Sequence, residues 1–480
     1  MSTFSTLEVG KRGLIAQKFG IDVTSNNITN VNTAGYSRRS ALTSETDPVN
    51  TLGGYVGTGS EVDKLRTYRE EFFDKEIRKS YGLQSGYESD KTILEKIEAI
   101  VAEPSDDGLD ETVQNFLHSF EDINVNAQDP NMRATTVQAA ITMVDRFHST
   151  AEKLDSARQD VFRDLKTNVD KMNQYINDVV EYNKKIGNTK ASAGIESQTY
   201  VDQRENILEE MSKLAGVSVT QTDNGQVNVF VNGMSVVTGS VASKLELQET
   251  VNSTTGERTA VIAKIDANKK TTAILNPVSG EMASEMKMYN SMLDPIDSSS
   301  DYSVYTKLNS YVETIATKVN DLCAGGYGLK DTGTTPPGRA FFTSSDGKYS
   351  AADIAINKDI LADGRNIPVS DTQGASGNNK IGMKIARLAS DTKFIDNMTH
   401  AEYYAGVLGK VGSMSADAIQ GKKTTDLIVT QLESQRSAVI GVDTDEEAVS
   451  LIKFQRAFEA SSRVVNTVNE MLTTLINLGK

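Results

Sequence analysis

The side chains best suited to chemistry are few and scattered in this 480-residue chain. Its three histidines, His118, His148 and His400, stand far apart. None has the H-E-x-x-H spacing that puts two imidazoles and a general base on one helix face. His118 and His148 fall within helical patterns, where a packed or solvated ring is expected rather than a ligand. The single cysteine, Cys323, permits no intrachain disulfide and no thiolate metal cluster, and reads as a small buried hydrophobe. Gly57-Thr58-Gly59 opens like a dinucleotide-binding loop, but Val62 holds the third glycine position and no strand–helix context follows. Gln420-Gly421-Lys422-Lys423 lacks both the first glycine and the hydroxyl residue of a phosphate loop. Asp443-Thr444-Asp445 starts like a calcium loop, yet Ala448 replaces the sharp-turn glycine, so helix capping is the better reading. There is no G-x-S-x-G nucleophile elbow, and the 65 carboxylates are expected on solvated helix faces. The chain therefore reads as a non-enzyme, with no catalytic residue, cofactor or metal site.

The totals point the same way. The length calls for two to four domains, while hydrophobics at 38%, aromatics at 6% and no tryptophan make a lean core. That balance suits an elongated, helix-rich molecule. A formal charge of −15 argues against nucleic acid or anionic lipid as a partner. No stretch approaches the roughly 18 apolar residues of a membrane span, and the N-terminus lacks the features of a cleaved secretory signal. Composition alone would place the protein in the cytoplasm.

With no chemistry to position, the patterned elements become the candidates for function. In the C-terminal stretch Leu451, Phe454, Phe458, Ser461, Val465, Val468, Leu472 and Leu475 recur in alternating steps of three and four, a heptad seam with one polar interruption. A second row, Ala457, Val464, Met471 and Leu478, runs beside it, so the apolar stripe needs more than one neighbour to cover it. At the other end Leu7, Leu14, Ile21 and Ile28 also recur every seven residues. The two termini are expected to pair, the C-terminal seam against the Gly10–Gln17–Thr24 side of the first helix, and then to pack against copies of themselves. A plain amphipathic helix closing on its own domain is the bland alternative.

Between the ends, an asparagine-rich stretch with Gly35 is expected to end the first helix, followed by extended structure to about Tyr68. Helices are expected up to Glu103-Pro104 and then up to Asp129-Pro130. From Asn131 to Ile186 neither Gly nor Pro occurs and apolar residues recur from Val137 to Ile186, predicting a helix on the order of 80 Å long that stops at Gly187-Asn188. A further helix ends at Gly216. The period then switches to two, with Asn224-Gly225 and Asn232-Gly233 as hairpin signals. The fold class is mainly α with β modules. Residues 1–35 and 446–480 form a discontinuous pair of terminal helices, and 36–68 an extended connector. Residues 69–216 with 280–445 form a helical rod domain with some β structure, and 217–279 an inserted β domain expected at the rod's far tip.

The run Thr24-Ser25-Asn26-Asn27-Ile28-Thr29-Asn30-Val31-Asn32-Thr33-Ala34-Gly35-Tyr36-Ser37-Arg38 resembles the N-terminal signature of bacterial flagellar rod, hook and hook-associated proteins. Its Gly-Tyr-Ser-Arg ending is most similar to the hook-associated protein 1 (hook–filament junction) family, which usually has Ala at Thr29 and Pro at Ala34. Residues Asp445-Glu446-Glu447, Phe454-Gln455, Arg463-Val464 and Leu475-Ile476-Asn477-Leu478 resemble that family's closing helix. The resemblance implies a structural subunit that joins hook to filament and is needed for filament attachment. Implied partners are other copies in a helical ring, the hook protein, the second hook-associated protein, the filament cap and an export chaperone. It also implies an extracellular place in the flagellum, reached through the flagellar type III apparatus without a cleaved signal. On this reading the assembly interface comprises the apolar rows of both helices with Asn27, Asn30, Asn32, Gly35 and Tyr36.

A hook or distal-rod subunit is the alternative within the same class, since those proteins share the asparagine motif. A filament-associated zinc peptidase in the insert would lack ligands, because 217–279 contains neither His nor Cys.

Overall fold

The computed structural model of the chain describes residues 3–33, 35–51, 54–102, 108–193, 197–254, 256–266, 268–296 and 302–478. The expected helix stop at Glu103-Pro104 and Ala34 of the asparagine motif lie outside these residues. The first helix, α1 (Thr3–Thr29), runs well into the asparagine-rich stretch before it breaks. A long hairpin follows, with β1 (Arg39–Glu45) paired antiparallel to β4 (Ser60–Thr67), extended by β2 (Val49–Thr51) and β3 (Gly54–Val56).

The helical body contains α2 (Glu71–Val101), α3 (Leu109–Val125), α4 (Pro130–Ala193) and α5 (Gln198–Leu214). Pro130 begins α4 rather than merely ending α3: its missing N–H is no loss at the first helical position, and Asp129 Oδ1 accepts from Asn131 N at 2.8 Å. At 64 residues α4 is roughly 95 Å long. It does not stop at Gly187-Asn188. At Gly187 a Cβ would lie 3.0 Å from the Gln226 amide, so the glycine lets that side chain close on the helix, which continues through it.

Residues 217–279 form two small antiparallel sheets. One has the order β5 (Val217–Gln221), β6 (Val227–Val231), β7 (Met234–Thr238), β8 (Val241–Ala242). The other is β11 (Thr271–Leu275), β10 (Arg258–Ile265), β9 (Lys244–Val251). Asn232 and Gly233 take φ of 46° and 81°, the geometry a two-residue hairpin turn requires. The sheets do not cap the far tip of the rod. They lie along the C-terminal half of α4, docked by its asparagines. Asn173 exchanges two 2.8 Å hydrogen bonds with the Leu245 backbone, and Asn183 bonds Val227 O at 2.8 Å and Val227 N at 3.1 Å.

The far end is built from other segments. After α6 (Glu281–Lys287) and α7 (Val304–Ala324), the chain makes short strands β12 (Phe342–Thr343) and β13 (Ala355–Ile356) and short helices α8 (Lys358–Ala362) and α9 (Lys380–Ala386). Phe116 and Phe120 of α3 pack there on Phe341 and Phe342, all fully buried. Asn320 holds that pair by accepting both of their backbone N–H groups at 2.7 and 2.9 Å. A capping box at Thr399 and Glu402 starts α10 (His400–Ile440). This helix returns antiparallel to α2, with Tyr404 on Val101 O and Gln84 on Asp426. Three residues later α11 (Thr444–Leu478) begins, capped by Asp443, whose Oδ1 accepts from Asp445 and Glu446 N–H.

Candidate assembly interface

Helices α1 and α11 pack antiparallel, with Gly10 opposite Val465, Gly13 opposite Ser461, Gly20 opposite Phe454 and Asn27 opposite Glu447. The α1 side of this seam is made of small residues. An added Cβ would lie 2.8 Å from Val465 Cγ2 at Gly10 and 2.6 Å from the Phe454 ring at Gly20. Ala16, Thr24 and Asn27 complete the buried line. Small side chains at steps of three and four let the helix backbones approach, and Val465 and Phe454 fill the room. Leu7, Leu14, Ile21 and Ile28 flank this seam, half-buried. The expected Gly10–Gln17–Thr24 side thus faces α11 through Gly10 and Thr24, while Gly13, Ala16 and Gly20 were missed although their spacing was a visible signal.

On α11, Leu451, Phe454, Phe458, Val465 and Leu472 are half-buried and Val468 is buried. Leu475, a member of the same seam in the sequence, is 57% exposed. The second row stays largely open: Val464 is 43%, Met471 54% and Leu478 80% exposed.

Where the seam ends, polar groups take over. Asn27 is fully buried and all its bonds are used. Its Nδ2 donates to Arg39 O at 2.7 Å and Glu447 Oε2 at 2.9 Å; its Oδ1 accepts from Tyr36 Oη at 2.8 Å and Arg39 N at 3.2 Å. Glu447, nearly buried, also takes Arg38 Nε at 2.8 Å, while Glu446 takes the same guanidinium at 3.0 Å. Burial alone would lower the Arg38 pKa, but the two carboxylates more than offset it and hold it raised. Burial raises the Tyr36 hydroxyl, against the pull of Arg39 stacked 4.9 Å over its ring. Gly35 has a φ of +71°, and a Cβ there would fall 1.7 Å from Asn206 Oδ1 of α5. Only glycine fits. Asn30, just past the end of α1, bonds back to Asn26 and Asn32 is exposed, so neither joins this cluster.

The same cluster continues into the body. Asp202 of α5 receives Ser37 Oγ, Arg39 at 2.8 Å and Arg69 at 3.2 Å. Burial raises its carboxyl while the two arginines draw it down. Arg69 reaches Asp74 of α2, and Arg78 reaches Glu205 at 2.7 Å. Arg436 of α10 joins Glu209. Sequence reasoning found Asn27, Gly35 and Tyr36 but none of these partners, which lie 160 or more residues away in Asp202 and beyond 400 in Glu447.

The groups weighed for chemistry are accounted for structurally. His118 is exposed and His148 bonds Ile354 O. His400 is buried between Asp110 and Gln114, and Gln114 also touches His118. Cys323 is enclosed, its thiol pushed up to about 12 by burial. Among the described residues no group of three or more His, Cys, Asp and Glu could hold a metal, and no helix is long and apolar enough to cross a membrane.

Comparison with known proteins agrees with this anatomy. The terminal segments match two family models, "Flagella basal body rod protein" over 7–36 and "Flagellar basal body rod FlgEFG protein C-terminal" over 434–478. Flagellar hook-associated protein 1 of Bacillus subtilis (strain 168) is 24% identical, covering 99% of this chain and 98% of its own length. That of Escherichia coli (strain K12) is 23% identical over 97% of the chain and 98% of the relative. The solved flagellar hook junction protein FlgK from Burkholderia pseudomallei shares the fold. Its TM-score is 0.62 at 14% identity, over 76% of this chain and all of that one. The model described as "Flagellar hook-associated protein FlgK helical domain" matches residues 94–342, just over half of the chain, and the protein belongs to that family.

Proposed function

We propose that the chain is a structural subunit at the junction of flagellar hook and filament, and that it assembles through α1 and α11. The observation that carries this reading is the apolar row left open on α11. Val464, Met471 and Leu478 lie beside a seam that α1 already occupies, so covering them takes a second neighbour. An exposed row at heptad spacing on a helix that is already paired fits repeated copies around an axis, each burying the next one's stripe. Phe4 and Ile15 of α1, 70% and 57% exposed, add to the surface available. The partners on this reading are other copies of the chain, the hook, the second hook-associated protein and the filament cap. Its place is outside the cell, reached by flagellar export.

Cells deleted for the gene test it by electron microscopy with an assay of flagellin in the medium. Hooks without filaments, with flagellin lost to the medium, are expected. A hook or distal-rod subunit is the second reading, favoured by the rod-protein character of both terminal segments. Absence of hooks in the deletion would select it, and normal filaments would overturn both.

A further inference from the structure

Four arginines are nearly or fully enclosed: Arg78, Arg133, Arg158 and Arg204, at 6%, 1%, 6% and 2% exposure. Three of them have a carboxylate within 4.0 Å: Glu205 for Arg78 and Arg204, Asp294 for Arg158. Arg133 has none among the described residues. It sits in the first turn of α4, where Nε donates to Ala127 O at 3.0 Å and Nη1 to Ile367 O at 2.9 Å. Its Nη2 donates to no protein atom there. Nearby acids are committed elsewhere: Asp331 to Arg339, Asp371 to Lys380, Asp363 to Arg365 and Lys330. Burial with no opposing charge pushes this guanidinium down to about 10, still cationic at neutral pH. A buried charge without a counter-charge is costly, and proteins ordinarily pair it.

Arg133 lines a cavity of about 40 Å³ with Tyr327, Gly328, Ser370, Gly374 and Ser376. Ser376 Oγ accepts from Gln128 Nε2 at 2.9 Å, which leaves its own proton to donate. Gly374, at φ +68°, has a backbone N–H that bonds nothing among the described residues. The cavity has room for a few water-sized particles, since roughly 10–15 Å³ by the same measure seats one water. That size admits a halide.

We propose that this cavity binds a small monovalent inorganic anion of the chloride class as the counter-charge to Arg133. The ion ties the α3–α4 corner, through Ala127, to the 365–378 loop that folds over it. The test is thermal unfolding of the full chain in sodium chloride against sodium gluconate at constant ionic strength. Crystals soaked in sodium bromide accompany it. A midpoint that climbs by a few degrees with chloride, and an anomalous bromide peak within hydrogen-bond reach of Arg133 Nη2, are expected. Arg133→Met should lose the chloride-specific rise. Equal rises in the wild type and Arg133→Met would overturn the proposal, as would water in place of bromide. Should Arg133→Met fail to fold, the wild-type titration and bromide crystal decide by themselves.

Discussion

Helices α4 and α11 carry similar apolar repeats and meet opposite fates. Along α4, Met143, Phe147, Leu154, Leu165, Met172, Ile176 and Val179 are fully enclosed by the chain's own elements. Along α11, Val468 is the one buried apolar side chain among the described residues, and Ala16 is its counterpart on α1. The body is thus closed within one chain, while the terminal pair shares a single seam and leaves a row open. What fastens that pair to the body is mainly polar: Asn27, Glu447, Arg38, Arg39 and Asp202 in one bonded cluster. Apolar burial is non-directional and polar bonding is geometric. On this contrast the body supplies stability and the polar cluster sets the angle at which the open row is presented.

Breaking the body should cost most. Phe116→Ala removes a ring at the centre of the four-phenylalanine cluster and should cost about 3–5 kcal/mol, seen as a lower unfolding midpoint of the whole helical signal. An unchanged midpoint would mean that this cluster does not hold the far end together. Next, Val465→Asp or Leu472→Asp should unpair α1 and α11 and block incorporation into flagella. The 69–440 segment should keep its helicity in circular dichroism and its protease resistance. Loss of body helicity would erase the distinction between the two regions.

A smaller effect is expected from Glu447→Ala, which strips Asn27 and Arg38 of their shared carboxylate. About 2 kcal/mol is expected, less than a fully buried pair costs because Arg38 is 25% exposed. Limited proteolysis near residues 38–70 and 440–445 should accelerate while cleavage within α4 does not.

The body also has a pH dependence of its own. Glu285 of α6 is 5% exposed; burial, with Glu281 adding to it, pushes its carboxyl up to about 8. A carboxyl raised on folding binds more protons in the native state. Its contribution is therefore full below the unfolded value of 4.5 and is lost as pH rises through about 8. Stability should fall over that window at up to about 1.4 kcal/mol per pH unit. Glu285→Gln should flatten the fall, as read from unfolding midpoints between pH 5 and pH 8.5. Equal slopes in the two proteins would remove Glu285 as the cause.

The smallest change in the monomer is the most telling. Met471→Glu alters a side chain already 54% exposed and should shift stability by less than about 0.5 kcal/mol. Motility and filament attachment should nevertheless be lost. Wild-type swimming in this variant would show that the open row is not an assembly surface.

Much of this anatomy was legible in the residues. The helix of α4 followed from a long stretch free of Gly and Pro up to Ile186. The hairpins of 217–279 followed from Asn-Gly pairs, and the terminal pairing from heptad rows. The Gly10 and Thr24 side of α1 expected to meet α11 is the side that does, but Gly13, Ala16 and Gly20, which complete the contact, carry little hydropathy signal. Asn30 and Asn32 looked equal to Asn27 in the motif, yet only Asn27 faces Glu447.

By itself the sequence determined element type, the absence of a recognisable catalytic motif, and the presence of surplus apolar rows at both ends. These depend on periodicity and on backbone preferences within a turn or two. Only the tertiary structure decided that the β sheets lie against α4 instead of the far tip, and that Gly187 continues a helix. The same holds for Asn27 and Glu447, 420 positions apart, sharing a bond, and for Arg133 being enclosed without a carboxylate. The physical reason is common to all four. Each turns on which distant group fills a particular space or satisfies a particular donor, and local pattern carries no record of that.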